Sequence, residues 1–375
     1  MSDERVTCPH ADRCGACQLL GRTAVEQHAE KRHALAAALH RHPALRGLDV
    51  LPCLPSPRSA GYRNRAKMAV EPLDRGRLAL GYYRERSRDV VDAPQCRVLE
   101  PALVETLAGL RGALPAIGPD ARALRHVDLR CGSDPQVQHL TLVFSSDEGT
   151  RLELGRLAER CPFVAGVGVN LNPGSGPQVI KGPVEPVQGA REIWVELPSA
   201  RLRVSPGAFF QVNLHVLPAI HDRMRAHLRG GRVLADLYAG VGTHGLALAG
   251  DFERVVCVEG VRRAVADAKA SIAASGIGNA RVIASPVERA LRALRDAAAD
   301  RVVLNPSRQG AEPAVLDALA RSPAERLAYL SCEPVTLARD LDLLARMGFA
   351  VRAVEPVDMM PQTDQVEALA LLERR

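Results

Sequence analysis

The alternation of polar and apolar positions changes character twice along the chain. Between Gln18 and His42 the apolar positions fall at helical spacing: Val25, His28, Leu35 and Leu39 are separated by charged residues, and Pro43 closes the run. From 49 to 200 the period shortens. Alternating stretches at Ala66–Val70, Leu78–Tyr83, Leu140–Phe144, Gly166–Leu171 and Glu192–Leu197 are separated by Gly/Pro turns, among them Asn172-Pro173-Gly174-Ser175-Gly176. This pattern predicts a mostly antiparallel β region with helical stretches near 101–113 and 150–160. From Leu214 onward, short apolar runs alternate with helical patterns. Strands are expected at Val233–Leu237, Val255–Glu259, Ala280–Ala284, Val302–Leu304, Leu327–Ser331, Ala350–Val357 and Val366–Glu373, the arrangement of a doubly wound α/β domain. The expected fold is α/β in three parts: a cysteine-bearing segment and helix at 1–48, a central β-rich domain at 49–204, and a Rossmann-like domain at 205–375.

Composition narrows the function classes. A chain of 375 residues with 47% hydrophobic and 25% charged residues buries a large core and is not disordered. Residues Met1–Gly15 lack the apolar core of a signal peptide, and no apolar run is long enough to span a bilayer, so a cytoplasmic protein is expected. The net charge of +6 hints at a nucleic-acid partner, but lysine occurs only at Lys31, Lys67, Lys181 and Lys269, and the many arginines fit a general compositional bias. Local clustering says more. Tyr62–Arg88 carries Arg63, Arg65, Lys67, Arg75, Arg77, Arg84, Arg86 and Arg88 against Glu71, Asp74 and Glu85. Such a run suits an RNA-facing surface or an ordinary solvated sheet face equally well.

Three of the nine cysteines fall within ten residues, at Cys8, Cys14 and Cys17. In a reducing compartment this spacing reads as metal ligation rather than disulfide bonding, and three thiolates leave one position open on a zinc ion or a cubane iron–sulfur cluster. Cys96, in Asp92-Ala93-Pro94-Gln95-Cys96, is the preferred fourth ligand and Cys53 the second choice. Cys53, Cys131, Cys161 and Cys257 otherwise read as small buried hydrophobes.

Three further features sit in order on the last domain. The first is Asp236-Leu237-Tyr238-Ala239-Gly240-Val241-Gly242-Thr243-His244-Gly245, a glycine loop after a strand. Asp236 would repel a dinucleotide pyrophosphate yet suits a cofactor carrying an ammonium, and Glu259 ends the next strand where a ribose would sit. S-adenosylmethionine (SAM) is therefore expected, with NAD the alternative. The second feature is the turn Asn305-Pro306-Ser307-Arg308, and the third is the strand-end thiol of Leu330-Ser331-Cys332-Glu333-Pro334. Amine methyltransferases also carry an Asn-Pro turn, but follow it with an aromatic that stacks on the base. Arg308 stands there instead. A lone cysteine is more often core than catalyst, but one preceding a helix N-terminus is expected to have a lowered pKa.

Together these motifs resemble the RNA uracil-C5 methyltransferases over nearly the whole chain, from Cys8 to Glu367. Ser331-Cys332-Glu333-Pro334-Val335-Thr336-Leu337-Ala338-Arg339-Asp340-Leu341 is similar to the family's S-C-N-x-x-T-x-A-x-D-[LI] segment, with Glu333 replacing asparagine. Asn305-Pro306-Ser307-Arg308-Gln309-Gly310 resembles [DN]-P-P-R-x-G, with Ser307 for the second proline. Met360-Pro361-Gln362-Thr363-Asp364-Gln365-Val366-Glu367 resembles F-P-x-T-x-H-V-E, with Met360 and Gln365 as departures. Phe209-Phe210-Gln211-Val212-Asn213 resembles F-x-Q-x-N, and Arg63-Asn64-Arg65-Ala66-Lys67 the Y-R-N-K-A-K strand on the RNA side. Where many relatives carry an acidic residue, this chain has Ser285-Pro286.

The resemblance implies Cys332 as nucleophile, Glu367 as general base and Asn305 on the uracil edge. It implies SAM contacts from Gln211, Asp236, Tyr238, Gly240, Gly242, Glu259 and Asn305, and a [4Fe–4S] cluster on Cys8, Cys14, Cys17 and Cys96. Longer family members carry an N-terminal β-barrel, for which this chain leaves no room before Cys8. With the Asn-Pro form of the 305–310 loop and the length, that favours the group acting on 23S rRNA, as a monomer. A tRNA T-loop uridine is the alternative substrate. An NAD-dependent oxidoreductase and a non-catalytic zinc-knuckle RNA-binding protein are the readings from other classes.

Overall fold

The computed structural model describes residues 5–116, 123–146, 154–174, 176 and 178–375. Part of the predicted helix near 150–160, and Ser175 in the predicted turn, lie outside the described residues. The helical pattern of the first segment becomes α1 (Ala24–Leu39), capped by Thr23, whose hydroxyl accepts from the Glu26 amide while Glu26 reaches back to the Thr23 amide. Strands β1 (Arg65–Pro72), β2 (Leu78–Tyr83), β3 (Val90–Asp92), β4 (Leu124–Cys131), β5 (Gln138–Phe144), β6 (Val164–Leu171) and β7 (Glu185–Gly189) form one sheet in the order β3-β2-β1-β4-β5-β6-β7. All its pairings are antiparallel except β5–β6. Helices α2 (Pro101–Ala113) and α3 (Gly155–Arg160) belong to this part of the chain. Leu103, Leu107 and Leu110 of α2 pack with Met68, Leu80 and Leu129 of the sheet into a core of their own.

The hairpin β8 (Ile193–Leu197) and β9 (Ala200–Val204) leaves that sheet and packs with the last domain, where Val195 and Leu202 join the core around Leu217 and Leu234. After α4 (Leu217–Leu228) come β10 (Val233–Leu237), β11 (Arg254–Glu259), α5 (Arg262–Ser275), β12 (Ala280–Ala284), α6 (Leu291–Ala297), β13 (Arg301–Leu304), α7 (Pro313–Ala320), β14 (Arg326–Ser331), α8 (Pro334–Arg346), β15 (Phe349–Val357) and β16 (Glu367–Arg374). Their sheet runs β12-β11-β10-β13-β14-β16-β15. The first five strands are parallel, and β16 inserts antiparallel between β14 and β15. Both faces of this sheet are covered, which is why its strands read as continuous apolar runs rather than alternating ones. Helix α1 joins the core on one face through Leu35 and Leu39, and Val50 and Leu54 bridge to Val354 and Val357. The order reverses between β10 and β13, so their carboxyl ends open the crevice in which doubly wound folds bind ligands. No helix among the described residues is long and apolar enough to cross a membrane.

Candidate active site

Several chain segments supply residues to that crevice. The loop after β10 is set by backbone geometry: Tyr238 is held at φ 59° and Gly242 at φ 90°, a left-handed region costly for tyrosine and free for glycine. Gly245 is needed for another reason. A Cβ there would stand 2.8 Å from the Asp236 side chain, and the Gly245 amide donates to Asp236 Oδ2 at 2.7 Å. The other oxygen, Oδ1, is buried with no partner. Burial raises the Asp236 carboxyl to about 7, against the pull of the Gly245 amide. Such an acid is built to meet a cation that the fold itself does not supply. Glu259, at the end of β11, accepts from the Gly240 amide at 2.8 Å and from the Val261 amide at 2.6 Å, leaving lone pairs for two hydroxyls. Tyr238 donates to Glu288 at 3.1 Å. Gln211 is buried and its carbonyl accepts from Asn64. This donor set fits a SAM molecule: an unpartnered carboxylate for the ammonium, a second carboxylate for the ribose, and glycine backbone beside both.

Cys332 leaves β14 and is half-buried at the start of α8. Glu333 caps that helix, its carboxylate accepting from the Val335 amide at 3.5 Å with Pro334 in the first turn. The substitution of glutamate for the family asparagine thus keeps a capping acceptor. Glu367 opens β16 and is 4% exposed. Burial raises its carboxyl to about 8, while Arg308 pulls it down. The Cys332 thiol is raised by burial and then by Glu367, against the lowering effect of Arg308. The sequence predicts a thiol lowered by the helix N-terminus; burial and the Glu367 carboxyl raise it instead. Arg308 is the residue that sequence reasoning left out of the site. Its guanidinium donates to Gln365 Oε1 at 2.8 Å, and its carbonyl accepts from Thr336 Oγ1 at 3.0 Å. The departure at Gln365 is therefore the group that aims Arg308.

Asn305 follows β13, its amide bonded to the Leu237 carbonyl across the switch point. Its side-chain nitrogen lies 3.3 Å from Nε2 of His244, a second residue the motif reading passed over. The loop carrying Glu367 is pinned from behind by α1. Lys31, 1% exposed, donates to Asp358 at 2.6 Å and to the Met360 carbonyl at 2.9 Å. His28 meets the other Asp358 oxygen at 3.0 Å, and Gln27 accepts from the Gln362 amide at 2.8 Å. Only the apolar side of α1 was legible as a packing face; its buried lysine was not.

The N-terminal cysteines are also brought together. Cys8, Cys14, Cys17 and Cys96 line one small cavity with His10 and Tyr82. Both His10 ring nitrogens and the Tyr82 hydroxyl are buried there without hydrogen-bond partners. Cys17 is pushed up to about 12 by burial and by the neighbouring thiols Cys96, Cys14 and Cys8. The four thiols are not drawn into a closed ligand set: among the described residues no three His, Cys, Asp or Glu side chains are grouped to hold a metal ion. Cys53 lies apart, half-buried, with its thiol toward the Leu54 carbonyl, while Cys131, Cys161 and Cys257 are buried as expected.

The proposed RNA strand needs one correction. Arg65 points inward and clamps Asp128 with two bonds of 2.6 and 2.7 Å, and Asn64 is buried. The exposed cations are Lys67, Arg75, Arg77, Arg84, Arg86 and Arg88. A cavity of about 320 Å³ lies between α6 and α7, lined by residues that include Leu291, Arg295, Asp317 and Arg321, and none of the residues named above lines it.

Residues 199–375 match the family described as tRNA (uracil-5-)-methyltransferase. Over 98% of its length the chain is 35% identical to an uncharacterized RNA methyltransferase of Thermosynechococcus vestitus, 84% of which is covered. The chain belongs to the tRNA (uracil-5-)-methyltransferase family. An uncharacterized RNA methyltransferase of Gloeobacter violaceus is 32% identical over 98% of the chain and 82% of its own length. The crystal structure of Pyrococcus abyssi tRNA (uracil-54, C5)-methyltransferase with S-adenosyl-L-homocysteine superposes with a TM-score of 0.78, covering 99% of this chain and 86% of that one at 24% identity. That likeness shows the fold. Membership supports SAM-dependent methylation of RNA uracil at C5 as the activity of this family member.

Proposed function

We propose that the enzyme methylates C5 of a uridine in 23S rRNA, with Cys332, Glu367 and Asn305 at the reacting base. The observation that supports this reading is that Cys332 follows β14 and Glu367 opens its neighbour β16, with Arg308 beside both. Asn305, three residues before Arg308, bonds through its amide to the Leu237 carbonyl next to Asp236 and through its side chain to His244 of the glycine loop. Uracil C5 is a poor nucleophile until a thiolate adds to C6. Cys332 supplies that thiolate, and Arg308 favours its charged form. The Asn305 amide meets the O4/N3 edge and stabilises charge on O4 as the enolate forms. SAM, held by Gln211, Asp236, Tyr238, Gly240, Gly242 and Glu259, supplies the methyl group. Glu367 then takes the C5 proton, the C5–H electron pair forms the C5–C6 double bond, and the Cys332 sulfur leaves. A carboxyl raised by burial is suited to a step in which it must hold a proton firmly.

The N-terminal thiols Cys8, Cys14, Cys17 and Cys96 would hold a [4Fe–4S] cluster; thiolates clustered without cations are costly, and a cluster would offset that cost. Its role is structural. The segment docks through the Gly15 amide on the Tyr83 carbonyl and the Leu19 amide on the Gln362 carbonyl, so it braces both the RNA-side hairpin and the Glu367 loop.

The Asn-Pro form of the 305–310 loop favours 23S rRNA over the tRNA T-loop. The test is transfer of labelled methyl from SAM to 23S rRNA and tRNA transcripts, followed by nucleoside analysis. 5-Methyluridine in 23S rRNA is the expected product. The same product only in tRNA transfers the mechanism to the alternative substrate, and its absence from both overturns the reading.

A further inference from the structure

The loop 358–366 joins β15 to β16 and has little ladder to hold it. Glu367 pairs with Val357 of β15, but the pairing of β16 with β14 reaches only as far as Ala368, opposite Ser331. The carbonyls of the loop are caught instead by groups from distant parts of the chain. That of Met359 accepts from the Asn213 side chain at 3.2 Å and that of Met360 from Lys31 at 2.9 Å. That of Pro361 accepts from the Tyr62 hydroxyl at 3.0 Å and that of Gln362 from the Leu19 amide at 3.0 Å. Gln362 itself stands at φ 71°, in the left-handed region that a residue with a side chain keeps only when its surroundings impose it.

Gln27 of α1 imposes it. Its side-chain oxygen accepts from the Gln362 amide at 2.8 Å, and its nitrogen donates to the Arg22 carbonyl at 3.0 Å and to Gln362 Oε1 at 3.1 Å. Gln362 Nε2 in turn donates to the Ser59 carbonyl at 3.2 Å. A backbone N–H only donates and a backbone carbonyl only accepts, so main-chain groups at Gln362, Arg22 and Ser59 fix which way both side-chain amides face. Both glutamines are buried. Without Gln27 the Gln362 N–H would be buried and unpaired, and the loop would gain by turning it elsewhere. Three residues further on, Gln365 holds Arg308, and beyond it stands Glu367.

We propose that Gln27 is a positioning residue for the elimination step: by holding Gln362 in the left-handed conformation it keeps Glu367 aimed at the C5 proton. The inference rests on the reading above, in which Glu367 is the base. A general base works only within hydrogen-bond reach of its proton, so a small displacement of the loop slows that step without weakening binding. Cys332 stays bonded to C6 until the proton is removed. A displaced Glu367 therefore leaves a covalent RNA adduct.

The test uses the full chain and a transcript in which the methylated uridine has been located, with Glu367→Gln as the reference for adduct. Gln27→Leu removes donor and acceptor together. Its kcat should fall by roughly ten- to a hundredfold, with KM for RNA and SAM affinity by calorimetry unchanged, and adduct should accumulate on denaturing gels. Gln362→Gly in the same protein should recover much of the turnover, because glycine adopts φ 71° unaided. Tyr62→Phe deletes one hydroxyl from the anchorage of the same loop. It should lower kcat by less, again with adduct, and decides the matter should Gln27→Leu fail to bind SAM. Wild-type kcat in the deciding variant, a fall without adduct, a matching rise in KM, or no recovery by Gln362→Gly overturns the inference alone. No adduct with Glu367→Gln overturns the role of Glu367 as base, and this inference with it.

Discussion

Two half-buried cysteine environments in this molecule differ in what stands beside sulfur. At Cys17 the neighbours are three more thiols, and each raises the cost of ionising the others; among its causes only Arg63, the smallest, works the other way. At Cys332 the neighbours are one carboxyl and one guanidinium, Glu367 and Arg308, acting in opposite senses. Burial raises both thiols, so burial does not separate them. On the proposed reading the first set would be stabilised by a metal cluster that replaces the thiol protons, as ligands are. The second carries its own cation and keeps a single sulfur, as a nucleophile needs. Charge partners rather than exposure distinguish the proposed ligand cysteine from the proposed nucleophile.

The sharpest way to break this contrast is Cys332→Ala. Methyl transfer should fall by more than about 10⁴-fold, in line with removal of a covalent nucleophile, while SAM affinity stays as it was. Residual turnover within tenfold of wild type would place the nucleophile elsewhere. Glu367→Gln should lower turnover by about 10²–10⁴-fold and accumulate a covalent RNA–protein adduct, visible as a slow band on denaturing gels; free turnover with no adduct would remove Glu367 as the base. The pH dependence has a definite sign. In the proposed mechanism Glu367 works as a carboxylate and is raised to about 8, and Cys332 works as a thiolate and is also raised. Both active forms gain with pH, so kcat/KM should climb as pH rises toward 8. Stability runs the opposite way: a raised carboxyl stabilises the fold fully below its unfolded value and loses that contribution as pH rises through 8.

Much of this was legible in the chain. The doubly wound domain could be read because buried parallel strands are continuous apolar runs, and Val233–Leu237 and Ala280–Ala284 match β10 and β12. Cys332, Asn305 and Glu367 stood out because each ends or opens a strand in a linked motif. What could not be read depends on partners distant in sequence. Arg65 looked like an RNA contact and is consumed by Asp128, 63 residues away. Lys31 sat among charges on a helix and is buried against Asp358, 327 residues away. His244 occupies an unconstrained position of a glycine motif, and its neighbours, His221 and Asn305, lie 23 and 61 residues away.

The next effect is on metal rather than rate. Protein purified without oxygen should contain about four irons and four sulfides per chain, and Cys14→Ser should lower both and reduce thermal stability while Cys332→Ala leaves them unchanged. Equal iron in the two variants would mean that Cys14 is no ligand and that the four thiols are merely packed together.

The smallest expected effect tests the contrast most directly. If Arg308 is what separates Cys332 from Cys17, then Arg308→Gln should raise the Cys332 pKa without moving Cys17, because Arg308 stands beside Cys332 while the cation near Cys17 is Arg63. A higher pKa lowers the thiolate fraction at any pH below both values. Timed alkylation of chelated protein, read peptide by peptide with isotopic iodoacetamide, gives both cysteines in one tube. The Cys332 rate should drop by roughly tenfold while the Cys17 rate stays constant. An equal drop at both sites would point to general loosening or tightening of the fold. No drop at either would leave burial and Glu367 as the sole controls on Cys332, and the arginine would then act on the base or the RNA instead of on sulfur.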